Sequence, residues 1–459
     1  MICLNCINTV GGKMMYQTIV EEIKKDIIEE VYKPGKRLPS IRTLSKKYNC
    51  APNTVAKAYE ILRNEHIIYS IPQSGYYIVE SITTNIGGNK SSIINLETGN
   101  YIITNMNTPD LKHGVDRAVD IYKKHSLIHT TRGISSLREI LPSYLTNFQV
   151  FTSDENIFIN LGIQQALSIL AQMPFPNNKD IILVENPTYS YFLGFLKFFN
   201  NKVIGIDRDE NGIDLNKLEH LFKTEKIKFF YTVPRNHSPL GTSYNKTQRK
   251  KIAELAAKYD VYIVEDDYFG DISTDNKYDP IYTYSDHSHV FYLKSFSKIL
   301  PWLRIGLIVV PAELIDLFSE YRQISYYYSY FSASLISQTT LEIYIKSNIL
   351  KRHSAAITKD LLEKQKYLKS NFKKLEKMGI KCIGGSSGFY SYINIPKHIN
   401  DIEFVEHLKR EGVDVALGRR FFLDEDTYRK GIRLSVASAE TSEINRGLDI
   451  INDMFKKYS

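Results

Sequence analysis

Apolar positions change period along this 459-residue chain, and the change divides it into two parts. From Tyr16 to Val31 they recur at Ile19, Val20, Ile23, Ile27 and Val31, a helical spacing with a polar opposite face. The stretch "YKPGKRLPS" then breaks the helix with Pro and Gly. Ser40 suits the N-cap of a second helix running through Tyr48, with Ile41 and Leu44 inward and Arg42 outward. After "NCA", Pro52 opens a third helix whose Val55, Ala58, Tyr59 and Leu62 share one face. Two short β-rich runs follow in "HIIYSIPQSGYYIVE", on either side of a Pro-Gln-Ser-Gly turn. Three short helices with a tight turn between the last two, closed by a hairpin, predict a winged helix-turn-helix over residues 14–80.

Residues 81–92, "SITTNIGGNKSS", lack any period and predict a flexible connector. Beyond it, β-runs alternate with amphipathic helices: "NIFINL", "DIILVEN", "KFFYTVP", "VYIVEDD", "VFYLKSF" and "RIGLIVV". Between two of these, "TQRKKIAELAAKYD" puts Ile252, Leu255, Ala256 and Tyr259 on one helical face. Alternating β and α units predict a mostly parallel sheet covered by helices, with ligands at the carboxyl ends of its strands. A large α/β domain is expected over residues 93–345 and a smaller α+β subdomain over 346–459.

Composition sharpens this picture in two places. With 43% hydrophobic and 24% charged residues the chain is an ordinary globular protein with enough apolar mass for a large core. The net charge of +8 is modest, but it is concentrated: eight basic residues and one acid, Glu60, lie between Lys33 and Arg63. Such a patch is an electrostatic footprint for phosphate. Asn53, Thr54 and Lys57, on the exposed face of the third helix, can face a major groove. Arg42 and the wing's Gln73 suit phosphate or minor-groove contacts, and Lys36 and Arg37 belong to the same basic patch. A three-helix bundle with a solvated basic face is the plainer reading of the same pattern.

Four cysteines occur, and Cys3 and Cys6 form a lone CxxC with no second pair to complete a zinc site, so no metal is expected. Neither a secretory leader nor a bilayer-spanning run is evident, which predicts a reduced, cytoplasmic protein without membrane contact. The stretch "GGKMM" at 11–15 also reads as a translated purine-rich ribosome site, which would make residues 1–13 a tail ahead of the true start.

Candidate chemistry gathers at the expected strand ends. Gly162 closes "IFINL" and opens "IQQALSIL", so free backbone N–H groups of a helix N-terminus face the ligand side and suit an anion. Asp266 and Tyr268 follow "VYIVE", where a carboxylate can hold a heterocyclic nitrogen protonated and a phenol can donate to a neighbouring oxyanion. Lys298 stands past "VFYLKSF" with the hydroxyls of Ser295 and Ser297 and the guanidinium of Arg304 nearby. A lysine that attacks a carbonyl must be neutral, and hydroxyls with a fork-shaped Arg suit phosphate. Arg433 in "GIRLSVAS" can clamp a carboxylate. Each also has an ordinary reading: a glycine used for its dihedral freedom, a helix-capping carboxylate, a solvated lysine, an arginine facing water. Their order, Gly162, Tyr189, Asp266, Lys298, Arg433, is what makes the functional reading stand out.

The segment "GKRLPSIRTLSKKYNCAPNTVAKAYEILRNEHIIYSIPQSGYYIV" resembles the GntR group of winged-helix regulators, with His66 where that group usually has Gly and Ala51 at its usual polar N-cap. From about Asn95 onward the chain looks like a fold type I pyridoxal-phosphate enzyme of the aminotransferase kind. Together the two parts resemble the MocR and GabR group of transcriptional regulators over nearly the whole chain.

The resemblance implies a homodimer and pyridoxal 5'-phosphate as cofactor. Lys298 of "SFSK" would form the internal aldimine, Asp266 would pair with the pyridine nitrogen, Tyr268 would bond the ring hydroxyl and Tyr189 of "NPTY" would stack on the ring. Backbone groups of Gly162, Ile163 and Gln164, with Ser295, Ser297 and Arg304, would hold the phosphate, and Arg433 would take a ligand carboxylate. Three departures accompany it. Ser238 of "RNHSPLG" stands where the family has Asn, Ile128 stands where a tyrosine is usual ahead of Gly133, and Arg304 is one residue closer to Lys298 than usual. The expected function is a regulator that binds double-stranded operator DNA and senses pyridoxal phosphate or an amino compound. The alternatives are a working aminotransferase with an accessory DNA-binding head, or a cofactor-free sensor of another ligand.

Overall fold

The computed structural model describes residues 9–10, 13–29, 31–79, 93–100, 108–124, 131–272, 278–329 and 332–458. Cys3, Cys6, Gly11, Gly12, the connector 81–92 and Ile128 lie outside the described residues. The chain separates into two compact units, 1–92 and 93–459.

In the first unit the expected elements form as helices Met15–Ile28, Ile41–Lys47 and Pro52–Asn64 and strands Ile68–Ile71 and Gly75–Ile78. Their apolar faces meet in one core of Ile19, Ile23, Leu44, Val55, Tyr59 and Leu62, closed by Ile68 and Ile78 of the hairpin. One expected position fails: Val31 lies past the end of the first helix and is 63% exposed. The chain has already turned there, with the Tyr32 N–H bonded back to Asp26 O, on its way to Pro34 and Gly35. Ser40 caps the second helix by accepting from the Thr43 N–H at 3.1 Å. The segment before that helix joins the wing, since the Leu38 N–H donates to Tyr76 O and the Ile78 N–H to Lys36 O.

Both sequence departures in this unit have a visible local effect. Ala51 occupies the N-cap of the third helix with the extended dihedrals of a cap but no side-chain bond to the helix. His66, in the turn before the wing, holds φ at +56°, a region that favours glycine.

The second unit is built on an eight-stranded sheet. Its spatial order is Ile157–Asn160, Gly306–Val309, Val290–Ser295, Tyr262–Asp267, Ile227–Thr232, Ile181–Asn186, Lys202–Asp209 and Gly212–Ile213. The four pairings from Val290–Ser295 to Lys202–Asp209 are parallel, and Gly306–Val309 runs antiparallel to both neighbours. The central strands are buried on both faces, which is why they read as continuous apolar runs. Lys202–Asp209 escaped the periodic reading because it is a half-exposed strand broken by Gly205 and charged at its end.

A second, four-stranded sheet of Cys382–Gly384, Tyr390–Asn394, Gly431–Ser435 and Ala416–Leu417 is antiparallel, in the C-terminal α+β part. The long helix Ile349–Lys377 and the terminal helix Thr441–Tyr458 accompany it. The chain enters the unit beside this C-terminal part. Ile94–Asn95 pairs in parallel with Val413–Asp414, and the Ser435 N–H donates to Leu96 O. Residues 93–96 are therefore attached to the C-terminal subdomain, not to the large sheet.

Restoring the missing cap with Ala51→Ser and relieving the strained turn with His66→Gly should each stabilise the winged helix, by up to about 1 kcal/mol. Slower amide hydrogen exchange across residues 52–64 of the full-length variants checks this; unchanged exchange would contradict it.

Candidate functional site

The site lies at the strand ends because the register brings them level. Ser295 is paired with Gly306, and Gly306 with Asn160, so three strand ends sit side by side. Immediately beyond Asn160 the chain turns into the helix Gly162–Gln172, with Gly162 at φ +69°. That turn rests on Gly306: a Cβ there would meet the Gly162 carbonyl carbon and the Ile163 nitrogen at 3.1 Å. Glycine at 306 thus lets a helix N-terminus, with its unpaired N–H groups, settle against the lysine-bearing turn.

Every residue expected from the sequence at the cofactor position lines one pocket. Gly162, Ile163, Gln164 and Tyr189 come from two helix N-termini, Ser238 from the loop after Ile227–Thr232, and Asp266 and Tyr268 from the next strand end. Ser295, Ser297, Lys298 and Arg304 come from the turn between the two antiparallel strands. The shortened connection from Lys298 to Arg304 is absorbed by a single 3-10 turn, Pro301–Leu303, after which Arg304 itself turns the chain at φ +49°. Arg304 thereby reaches the pocket despite its unusual spacing. Arg433 lines the outer part of the same cleft, buried to 6% exposure, so the reading of an arginine facing water does not hold.

Three consecutive carboxylates end the strand Tyr262–Asp267, all buried. Glu265 accepts from the Ile281 and Tyr282 N–H groups at 2.9 Å. Asp267 takes both Nε and Nη2 of Arg235, and Tyr292 donates to it as well. Asp266 is served on one oxygen only, by the Tyr231 hydroxyl at 2.7 Å, and its Oδ1 has no hydrogen-bond partner. Burial pushes the carboxyls of Glu265 and Asp266 up to about 7, whereas Asp267 is held below the usual range because Arg235 outweighs its burial. Asp266 is thus the one member of the trio with an unmet bond, and it faces the pocket.

Around it the polar groups are already engaged. The Lys298 Nζ donates to Gly99 O at 2.5 Å and lies 3.3 Å from the Tyr390 hydroxyl. Gln164 donates to the Tyr189 hydroxyl at 2.7 Å. The Tyr268 hydroxyl, expected to donate toward a ligand oxyanion, donates instead to Asn236 O, in the loop that carries Ser238. That loop is fixed from behind by the fully buried Glu185, which binds Arg208 at 2.5 Å and lies 3.1 Å from His237 Nε2. Burial opposes the Glu185 charge, but Arg208 and His237 outweigh it and hold the carboxyl below its usual range.

Reading the sequence missed Tyr231 and Tyr390, and with them Glu97, Gly99, Arg420 and Phe421 of the outer cleft. Gly99 carried no visible signal, yet a Cβ there would fall 1.8 Å from the Tyr390 oxygen. Tyr390 was one of 32 tyrosines. Burial opposes its ionisation, but the cations Lys298 and Arg433 outweigh this and bring the phenol below its ordinary value.

In the first unit, Asn53 and Lys57 are exposed on the third helix and Thr54 is half-buried beside them. Lys36, Arg37, Arg42 and Gln73 are exposed as well, and the Arg37 guanidinium lies against Gly75 of the wing. Lys57 Nζ lies 4.2 Å over the Tyr16 ring. No helix among the described residues is long and apolar enough to cross a membrane.

A winged helix followed by an α/β unit with a lysine-bearing pocket at its strand ends defines a DNA-binding regulator with an aminotransferase-type domain. Residues 15–78 match the family "Bacterial regulatory proteins, gntR family" and residues 91–451 match "Aminotransferase class I and II". The chain belongs to the aminotransferase class I and II family and, through its GntR head, to the MocR/GabR-type transcriptional regulators. It is 36% identical over 448 residues to YcxD of Bacillus subtilis, an uncharacterized HTH-type transcriptional regulator, covering 95% of this chain and 98% of that one. It is 25% identical over 452 residues to the HTH-type transcriptional regulator NorG of Staphylococcus aureus, covering 92% and 100%. Among solved structures it resembles the kynurenine aminotransferase of Pyrococcus horikoshii, in complex with PMP. That match has 26% identity and a TM-score of 0.72 over 80% of this chain and 92% of that one.

The buried carboxyls generate a pH dependence. A carboxyl held near 7 in the fold and near 4 in the unfolded chain stabilises the fold at low pH, and that contribution is lost as pH rises through about 7. Urea denaturation of ligand-free protein should give a lower unfolding free energy at pH 8 than at pH 5.5. Asp266→Asn should shrink the difference and be the more stable form at pH 8; an unchanged difference would contradict the assignment.

Proposed function

We propose that the protein is a homodimeric transcription regulator that binds operator DNA through its winged helix and senses pyridoxal 5'-phosphate, or an amino compound reacting with it. The observation that carries this reading is the unmet Asp266 Oδ1 in a pocket that also holds Lys298 and a helix N-terminus. A buried carboxyl with one free oxygen fits a protonated ring nitrogen, which would return it to the charged state. Ser295, Ser297, Arg304 and the N–H groups at Gly162, Ile163 and Gln164 suit the phosphate, and Tyr189 supplies a flat face beside them. Ser238 stands nearest in role to the family's asparagine. When bound, the cofactor supplies an aldehyde that condenses with amines.

The residues of this chain do the rest. Lys298 must shed a proton to react, and the Tyr390 hydroxyl at 3.3 Å is placed to exchange it. Engaging Lys298 also removes its bond to Gly99 O, in the segment that follows the connector to the winged helix. A ligand that takes the lysine therefore has a differential effect on the segment leading to the DNA-binding head, which is what coupling requires. The full-length similarity to HTH-type regulators favours sensing over turnover. The completeness of the pocket supports a second reading, a working aminotransferase with an accessory head, which requires steady amino-group transfer to a 2-oxo acid.

A double dissociation tests the proposal. Full-length protein should bind pyridoxal phosphate with a visible absorbance band that Lys298→Ala lacks, while Lys298→Ala still protects operator DNA from cleavage. Arg42→Ala with Lys57→Ala should keep the band and lose the footprint by at least about tenfold, with a shallower salt dependence. A footprint that survives the double substitution, or a band that survives Lys298→Ala, would overturn the assignment.

A further inference from the structure

The outer cleft holds more positive charge than a cofactor site needs. Arg433 is buried, and among the described residues its guanidinium has no carboxylate partner: it donates to the Glu97 backbone oxygen, and its Nε has no partner at all. A second guanidinium, Arg420, lines the same cleft, and both lie close to one ring, Arg433 at 5.2 Å and Arg420 at 5.1 Å from the Phe421 centroid. Arg420 is paired at 2.8 Å with the Glu97 carboxylate. One short segment therefore answers three of the four cations that line the outer cleft: Glu97 answers Arg420 through its carboxylate and Arg433 through its backbone oxygen, and Gly99 answers Lys298, leaving Arg304 outside this set.

We propose that the cleft takes a short amino acid carrying two acidic groups, one on Arg433 and one on Arg420, and that its arrival displaces the Glu97 carboxylate. The inference rests on reading the pocket as an amino-compound sensor, and it names the class of compound. The chemistry is an exchange of one carboxylate for another. Arg433 is desolvated and fixed, so a bidentate carboxylate there gains a full partner for a buried cation. The Arg420–Glu97 pair has side chains 44% and 36% exposed, and such half-exposed pairs hold weakly. A ligand with only one acid would fill Arg433 and leave Glu97 in place. Arg420 is not among the phosphate-suited groups of the inner pocket, which Ser295, Ser297 and Arg304 line, although Arg304 borders the outer cleft too.

Calorimetric titration of the full-length protein with glutarate and with pentanoate separates the second acid from everything else, since the two differ by one carboxylate and neither carries an amine. Glutarate should bind at least tenfold more tightly than pentanoate. Arg420→Gln should erase that advantage while leaving pentanoate unchanged, and Glu97→Gln should strengthen glutarate selectively. Equal binding of the two acids, an advantage that survives Arg420→Gln, or no binding of either would overturn the proposal. Because neither probe reacts with an aldehyde, the preference is read with or without cofactor. Failure of cofactor binding would show separately, as a missing visible band.

Discussion

Three carboxylates in a row at one buried strand end are the constraint around which this site is arranged. Like charges so close together cannot all be buried without compensation, and the chain gives two of them a hydrogen-bond partner on each oxygen. Glu265 is answered by two backbone N–H groups and Asp267 by the fork of Arg235 and the Tyr292 hydroxyl. Asp266, between them, is left with one free oxygen facing the pocket. A buried polar atom without a partner is costly, so it marks the place where a ligand would repay the fold. The surrounding framework serves to keep that arrangement rigid: Glu185 with Arg208 and His237 fixes the loop of Ser238, and Tyr268 is tied to the same loop through Asn236.

Much of this was legible in the sequence because it is local. Strand, turn and helix succeed one another within a few residues at Gly162, at Asp266 and at Lys298, so the alternation of apolar runs located both the sheet and the residues at its edge. The winged helix was legible for the same reason, down to the cap at Ser40 and the four inward residues of the third helix. The strained backbone at His66 shows what a departure from the usual glycine means physically.

What the sequence hid is what distant segments build together. Tyr390 opens a strand of the antiparallel sheet, Arg420 lies in a connection of that sheet and Glu97 is among the first residues of the unit, attached there by the pairing of Ile94–Asn95 with Val413–Asp414. Gly99 owes its identity to a tyrosine nearly three hundred residues away. The apolar stripe that seemed to continue to Val31 was ended by the turn toward the wing, which tertiary hydrogen bonds impose. Arg304 stands one residue closer to Lys298 than the family spacing, yet it lines the pocket, its own left-handed backbone turning the chain there.

The account's central claim is that this pocket is coupled to the DNA-binding head. The direct measurement is the operator affinity of full-length protein loaded with pyridoxal phosphate, with and without an acidic amino acid, in the wild type and in Lys298→Ala. The account predicts an affinity shift of at least several-fold in the wild type and none in Lys298→Ala. Equal affinity under both conditions in the wild type, or the same shift without the lysine, would contradict it.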